Sequence, residues 1–245
     1  MSKQMLAVWG SPGSGKTLTS ILLARSLAAK DKIVILVLCD LNAPMLPVVF
    51  PDEDPEERSL GVLLSSPEVN QDMVLQNLLL SGDNLGVLGY RKGETINSYP
   101  GYVGSKASEL LVLLKHQVDY VIVDCNSVLS GQDISSIALQ EADAVLRLGS
   151  CDLKGPSFMQ SWLPVIEMDR RFKSSRHLKA LTGIRTKLPW KEISEAYGGV
   201  NYHLPYAFEI EQKFQLGKLL EPIRSQEGKD FEKVIHRIIG EVLNE

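Results

Sequence analysis

The stretch "GSPGSGKT", Gly10 to Thr17, decides how the rest of the chain is read. It satisfies G-x-x-x-x-G-K-[ST], a glycine-rich loop whose backbone N–H groups converge on an anion while the following helix adds its positive N-terminal end. Gly13 and Gly15 permit backbone conformations and a close approach that a Cβ would hinder. In such a loop Lys16 reaches the β- and γ-phosphates and the Thr17 hydroxyl ligates Mg2+. Ser11, Pro12, Ser14 and Leu18 complete the nucleotide-contact segment. The flanks agree with this reading. "QMLAVWG" before the loop is a short apolar run suited to a buried strand, and "TLTSILLARSLAAK" after it carries apolar residues at helical spacing. A glycine-rich turn that binds nothing would require neither the Lys-Thr pair nor these flanks.

A length of 245 residues suits one α/β domain spanning residues 1–245, and 44% hydrophobic residues suffice for a large core. The longest apolar runs, such as "KIVILVLCD", are far too short to span a membrane. The apolar N-terminal stretch runs directly into the loop and does not read as a signal peptide. A net charge of −4 argues against a dedicated nucleic-acid coat. Three cysteines without C-x-x-C spacing point to a reduced, cytoplasmic protein without structural disulfides.

Apolar runs alternate with helical segments to the end, which predicts a doubly wound, mostly parallel sheet with helices on both faces. The pattern places strands at Gln4–Trp9, Lys32–Cys39, Leu85–Leu88, Tyr120–Asp124, Ala144–Leu148, Leu178–Gly183 and Val200–His203. It places helices at Lys16–Lys30, Asp72–Leu80, Ser105–His116, Ser135–Glu141, Ser157–Met168, Trp190–Tyr197, Phe208–Leu216 and Asp230–Leu243. "PDEDPEERS" (Pro51–Ser59) and "YRKGETINSYPGYVGS" read as exposed loops.

In open α/β sheets ligands lie beyond the carboxyl ends of the strands. Two acids end strongly apolar runs there, Asp40 in "IVILVLCD" and Asp124 in "DYVIVD". Asp124 suits a Walker-B acid in the Mg2+ shell, and Asp40 an acid that orders that shell or the attacking water.

The phosphate loop, "VILVLCDLNAPML", "VDYVIVDCNS", "EADAVLRLGSCDLKG" and "YHLPYAFEIEQKFQLGKLLEP" follow one another in a way that resembles the ParA/MinD superfamily of ATPases, a SIMIBI-like P-loop NTPase group. The resemblance spans nearly the whole chain and looks most like the CpaE/TadZ-type localisation ATPases of pilus assembly. It implies ATP and Mg2+ as ligands and a nucleotide-controlled homodimer that places machinery on a membrane, pole or nucleoid. It further implies Lys16 and Thr17 on phosphate and Mg2+, Asp40 in water activation, Asp124 on Mg2+, and Pro205 and Tyr206 beside the adenine. Where the superfamily carries a lysine that crosses to the partner's phosphates, this chain has Ser11, and "CNSVLSG" lacks the Pro-rich continuation after the Walker-B acid. A cation at position 11 would offset charge developing on the phosphoryl oxygens, so hydrolysis is expected to be slow or partner-dependent. A non-hydrolysing scaffold and a small-molecule kinase or ligase of the same fold are the competing readings. "TKLP" (Thr186–Pro189) lacks the acid with which related GTPases read guanine, which favours ATP.

Four further features invite functional readings. Cys39, Cys125 and Cys151 stand near strand ends and read as small buried thiols rather than metal ligands. "RRFKSSRHLK" (Arg170–Lys179) reads as a solvated helix exit before a DNA or anionic-lipid contact. In "DFEKVIHRIIGEVLNE" the stripe Phe231, Val234, Ile235, Ile238, Ile239, Val242 and Leu243 predicts packing on the sheet rather than membrane attachment. His116, His177, His203 and His236 show no catalytic spacing.

Overall fold

Continuous apolar runs, buried on both faces, build the sheet of this computed structural model, which describes residues 4–53, 58–185 and 187–243. The strands are β1 (Gln4–Gly10), β2 (Val34–Leu38), β3 (Leu79–Ser81), β4 (Leu85–Gly89), β5 (Tyr120–Asp124), β6 (Ala144–Ser150), β7 (His177–Ile184) and β8 (Tyr202–Pro205). The helices are α1 (Lys16–Ala28), α2 (Leu46–Val49), α3 (Leu60–Ser65), α4 (Gln71–Asn77), α5 (Gly104–Gln117), α6 (Ile134–Glu141), α7 (Lys154–Glu167), α8 (Trp190–Ala196), α9 (Phe208–Gln215) and α10 (Gln226–Val242).

The strand order is β3-β4-β2-β5-β1-β6-β7-β8. Every pairing is parallel except that of β3 with β4. One apolar layer joins the sheet to α1 and α10 through residues such as Leu23, Leu27, Ile235 and Ile239. A second joins the opposite face to α3, α5 and α6 through Leu60, Leu110, Leu111 and Ile137. The stripe of α10 is thus spent on the core: Phe231, Ile235, Ile238, Ile239 and Leu243 are buried, while Val234 and Val242 pack at its margin. Register fixes the site, because Asp124 stands opposite Val8 of β1 and Leu38 of β2, one turn of chain from the loop that follows Gly10.

Two departures from the sequence reading occur at the β3 side of the sheet. The helix expected to reach Leu80 stops at Asn77, and Leu79–Ser81 turn back as an antiparallel edge strand. A three-leucine run satisfies either periodicity, and Gly86 settles it, since the Leu78 side chain fills the space a Cβ would take there. Helices α2 and α3 were not anticipated. α3 starts at Ser59, whose hydroxyl accepts from the Gly61 N–H.

Candidate nucleotide site

The loop after β1 is held from beneath. A Cβ on Gly10 would collide with the Leu148 carbonyl, to which the Ser11 N–H donates at 3.2 Å. Gly13 and Gly15 take φ of 76° and 73°, left-handed values that a side chain disfavours. The Thr182 hydroxyl of β7 donates to the Ser14 carbonyl at 2.8 Å, tying the loop to a third strand.

Lys16 points back under the loop, donating to Ser127 Oγ at 2.6 Å and to the Ser11 carbonyl at 3.5 Å. Burial pushes its pKa down, while Asp124 and Asp40 hold it up. The Thr17 hydroxyl donates to Asp124 Oδ2 at 2.6 Å, and Ser20 Oγ donates to Oδ1 at 3.4 Å. Burial raises the Asp124 carboxyl to about 6 against the lowering effects of Thr17 and Lys16. Asp40 Oδ1 accepts from the N–H groups of Asn42 (2.9 Å) and Ala43 (3.0 Å), which fixes its carboxylate at the end of β2.

These residues fit an anion and a hard cation side by side. Ser14 Oγ is buried with no partner among the described residues, as expected beside an absent acceptor. Thr17, Asp124 and Asp40 offer the all-oxygen donor set that suits Mg2+. Leu18 differs from its neighbours, since it lies in the first turn of α1 and its side chain packs against the core. Pro205 and Tyr206 lie at the carboxyl end of β8, on the same edge of the sheet. There the Tyr206 N–H donates to the Ile184 carbonyl at 2.8 Å, and the Arg185 guanidinium stacks 3.9 Å from the Tyr206 ring centroid.

Ser11, where the resembled superfamily carries its lysine, lies inside the fold. Its side chain is fully buried, 3.5 Å from Ser150 Oγ, whose own O–H bonds with Asp152 at 2.9 Å. The Ser150 N–H donates to Ser11 Oγ at 3.4 Å. Residue 11 is turned inward, and a lysine there would have to leave this niche before reaching any partner chain.

Ser127, Ser20, Ser150 and Thr182 support the loop, and nothing in their spacing announces it. "CNSVLSG" proves to be the support of Lys16, with Ser127 anchored through its carbonyl to the Trp9 indole N–H at 3.0 Å. Cys39 and Cys125 are buried at neighbouring strand ends with thiol pKa values pushed up by burial, whereas Cys151 is half-exposed. The basic run is mostly committed to the protein itself: Arg171 pairs with Asp169, Arg176 donates to the Ala142 and Gln140 carbonyls, and Lys179 to those of Tyr197 and Gly198. Thr186 lies outside the described residues, as do residues 54–57 of the acidic loop. No helix among the described residues is long and apolar enough to cross a membrane.

A mostly parallel eight-stranded sheet, with a phosphate-type loop after an inner strand and an acid ending the strand beside it, matches the fold of solved ParA and MinD P-loop NTPases. A ParA family ATPase from Chlorobium tepidum TLS superposes with a TM-score of 0.80 at 15% identity, covering 95% of this chain and 97% of that one. The septum site-determining protein MinD complexed with Mg-ADP, from Pyrococcus horikoshii OT3, gives 0.71 at 16% identity, covering 96% of this chain and 95% of that one. A putative plasmid partition protein from Borrelia burgdorferi B31, bound to AMPPNP, gives 0.73 at 15% identity, covering 96% and 98%. No family model and no curated protein matches the chain. At these identities the likeness establishes the fold.

Proposed function

We propose that this chain binds Mg2+·ATP and works as a ParA/MinD-like positioning or assembly switch whose hydrolysis is slow or partner-dependent. The observation that carries the reading is the Thr17–Asp124 hydrogen bond beneath a left-handed Gly13/Gly15 loop, with the Lys16 ammonium buried beside it. Along Ser11 to Leu18 the backbone N–H groups of Gly13, Gly15, Lys16, Thr17 and Leu18 would wrap the phosphates, Pro12 having none to offer, and Lys16 would exchange Ser127 for phosphate oxygen. Thr17, Asp124 and Asp40 would hold Mg2+, which when bound neutralises charge on the β- and γ-oxygens. Asp40 would orient the attacking water, and Pro205 and Tyr206 would border the adenine. The Mg-ADP and AMPPNP complexes of fold relatives support this ligand class. A nucleotide-dependent homodimer, a cytoplasmic site peripheral to membrane, and a protein partner in a membrane-associated, pilus or secretion machine of CpaE/TadZ type belong to the same proposal.

The inward Ser11 favours one alternative, a scaffold that binds nucleotide without turning it over. The kinase or ligase reading gains less. A cavity of about 430 Å3 does open beside Cys39 and Asn126, but Tyr90, Tyr99, Pro100, Tyr102 and Val128 give it largely apolar walls, unlike a phosphoryl-acceptor pocket.

Equilibrium binding of ATP and ADP with Mg2+, run beside phosphate release, tests the proposal. Wild-type protein is expected to bind ATP tightly and release phosphate slowly. Lys16→Ala should lose binding by at least about a hundredfold while keeping its circular dichroism, since the residue contacts phosphate rather than core. Unchanged affinity in that variant would sink the assignment. Binding with no release at all selects the scaffold.

A further inference from the structure

The sheet carries a cation that has no carboxylate at contact among the described residues. Arg147 lies within β6, an interior strand otherwise made of Ala144, Val145, Leu146, Leu148, Gly149 and Ser150. Its register partner in β7 is Lys179, and Val145 stands opposite His177. Alternation therefore puts Arg147, Lys179 and His177 on one sheet face.

None of the neighbours supplies a negative charge at contact. Lys179 Nζ donates to the carbonyls of Tyr197 (3.0 Å) and Gly198 (2.7 Å). Neither ring nitrogen of His177 has a partner among the described residues, and burial beside Arg147 and Arg176 pushes its pKa down to about 4. Arg147 Nε is buried without a partner, and among the described residues no carboxylate forms an ion pair with the guanidinium. Glu167 favours its charge only from a distance. Arg147 as a whole is half-buried, so its guanidinium is only partly hydrated, and a partner for the charge has to come from the side on which it is open.

A cavity of about 220 Å3 lies beside it, its walls including Arg147, Pro156, Met159, Leu163, Glu167 and Tyr197. The Tyr197 hydroxyl is also buried, packed beside Ser11 and against Gly149 and Gly155. The cavity would hold roughly seven waters at about 30 Å3 each, more than an inorganic oxyanion fills. Its proline, methionine and leucine walls suit a carbon skeleton, and Glu167 in the same wall opposes a dianion more than a monoanion.

We infer that this cavity binds a small organic monocarboxylate, its oxygens on the Arg147 guanidinium and its apolar body against Met159 and Leu163. A planar guanidinium matches carboxylate with two parallel N–H donors, which a lysine ammonium cannot reproduce. The site stands on its own observations and does not depend on the Mg2+·ATP reading.

Calorimetric titration of the full chain with pentanoate at constant ionic strength tests it, with inorganic phosphate titrated into Lys16→Ala as the second arm. Pentanoate is expected to bind saturably in the millimolar range or tighter. Arg147→Met should weaken it at least about tenfold, the effect of losing a charge-assisted pair, and Arg147→Lys and Tyr197→Phe several-fold. If Arg147→Met does not fold, the other two variants decide. Absence of millimolar pentanoate binding, or binding unchanged in the variants that fold, overturns the inference. Phosphate binding that needs Arg147, without pentanoate binding, overturns the choice of carboxylate.

Discussion

Asp124 holds a carboxyl group almost wholly out of water, with two hydroxyl donors and the Lys16 ammonium as company. Those partners do not offset burial, and the group titrates near 6 rather than near 3.8. A carboxyl whose folded pKa is raised leaves stability intact below about pH 4, erodes it between 4 and 6, and imposes its full penalty above 6. Asp124→Asn should therefore be more stable than wild type at pH 8 by up to about 3 kcal/mol, with the difference gone near pH 4. The same variant should bind ATP less tightly only when Mg2+ is present. Urea unfolding at the two pH values checks the first half, and a wild type more stable than the variant at pH 8 would contradict it. Lys16, Thr17 and Asp124 were legible because a motif and a strand end mark them. Ser127 and Ser150 were not, because a serine brought to a lysine or another serine by tertiary folding leaves no local pattern.

At the level of the element, the start of the loop is set by how closely β1 approaches β6. Gly10 is the position where a side chain would meet backbone rather than a movable group, since the obstacle is the Leu148 carbonyl. Gly10→Ala should cost about 3 kcal/mol or more, because strand pairing at Gly10–Leu148 has to open to admit the methyl group. Thermal unfolding measures this, and a loss under about 1 kcal/mol would show that the strands can separate there freely. Gly13→Ala is a useful comparison, since open space surrounds its Cβ position and only the φ of 76° opposes the change. Long amphipathic elements such as α10 could be read directly from their stripe. The α4–β3 junction could not, because "NLLLSG" is too short and too uniformly apolar to show a period.

Across the whole molecule, acid sensitivity gathers where cations share a sheet face. His177 is half-buried against Phe172, its ring centroid 4.2 Å from that ring, and stays neutral down to about pH 4 in the folded protein. Its folded pKa lies below the ordinary 6.5, so the unfolded chain binds the proton first and stability falls as pH drops from 6.5 to 4. Allowing for partial exposure, the loss is on the order of 2 kcal/mol, and His177→Leu should remove it. Denaturation of both proteins at pH 7.5 and pH 4.5 reads the difference, and parallel pH profiles would exclude His177 as the source. The parallel architecture was legible from alternating apolar and helical segments, but strand order was not, since neither composition nor periodicity states which strands become neighbours.

That order bears on how the chain is made. β1 precedes the other described strands along the chain, yet both of its neighbours, β5 and β6, begin only at Tyr120 and Ala144. Until those residues emerge, the loop-bearing strand has no edge to pair with. At about 5 to 20 residues per second the wait lasts many seconds, during which Met5 to Trp9 form an unpaired apolar ribbon. The β2–β4 pair can form earlier, so the sheet grows from one flank and closes at its middle. The loop of Gly10 to Thr17 is then seated only after more than a hundred further residues have followed it, although its own sequence is local and short.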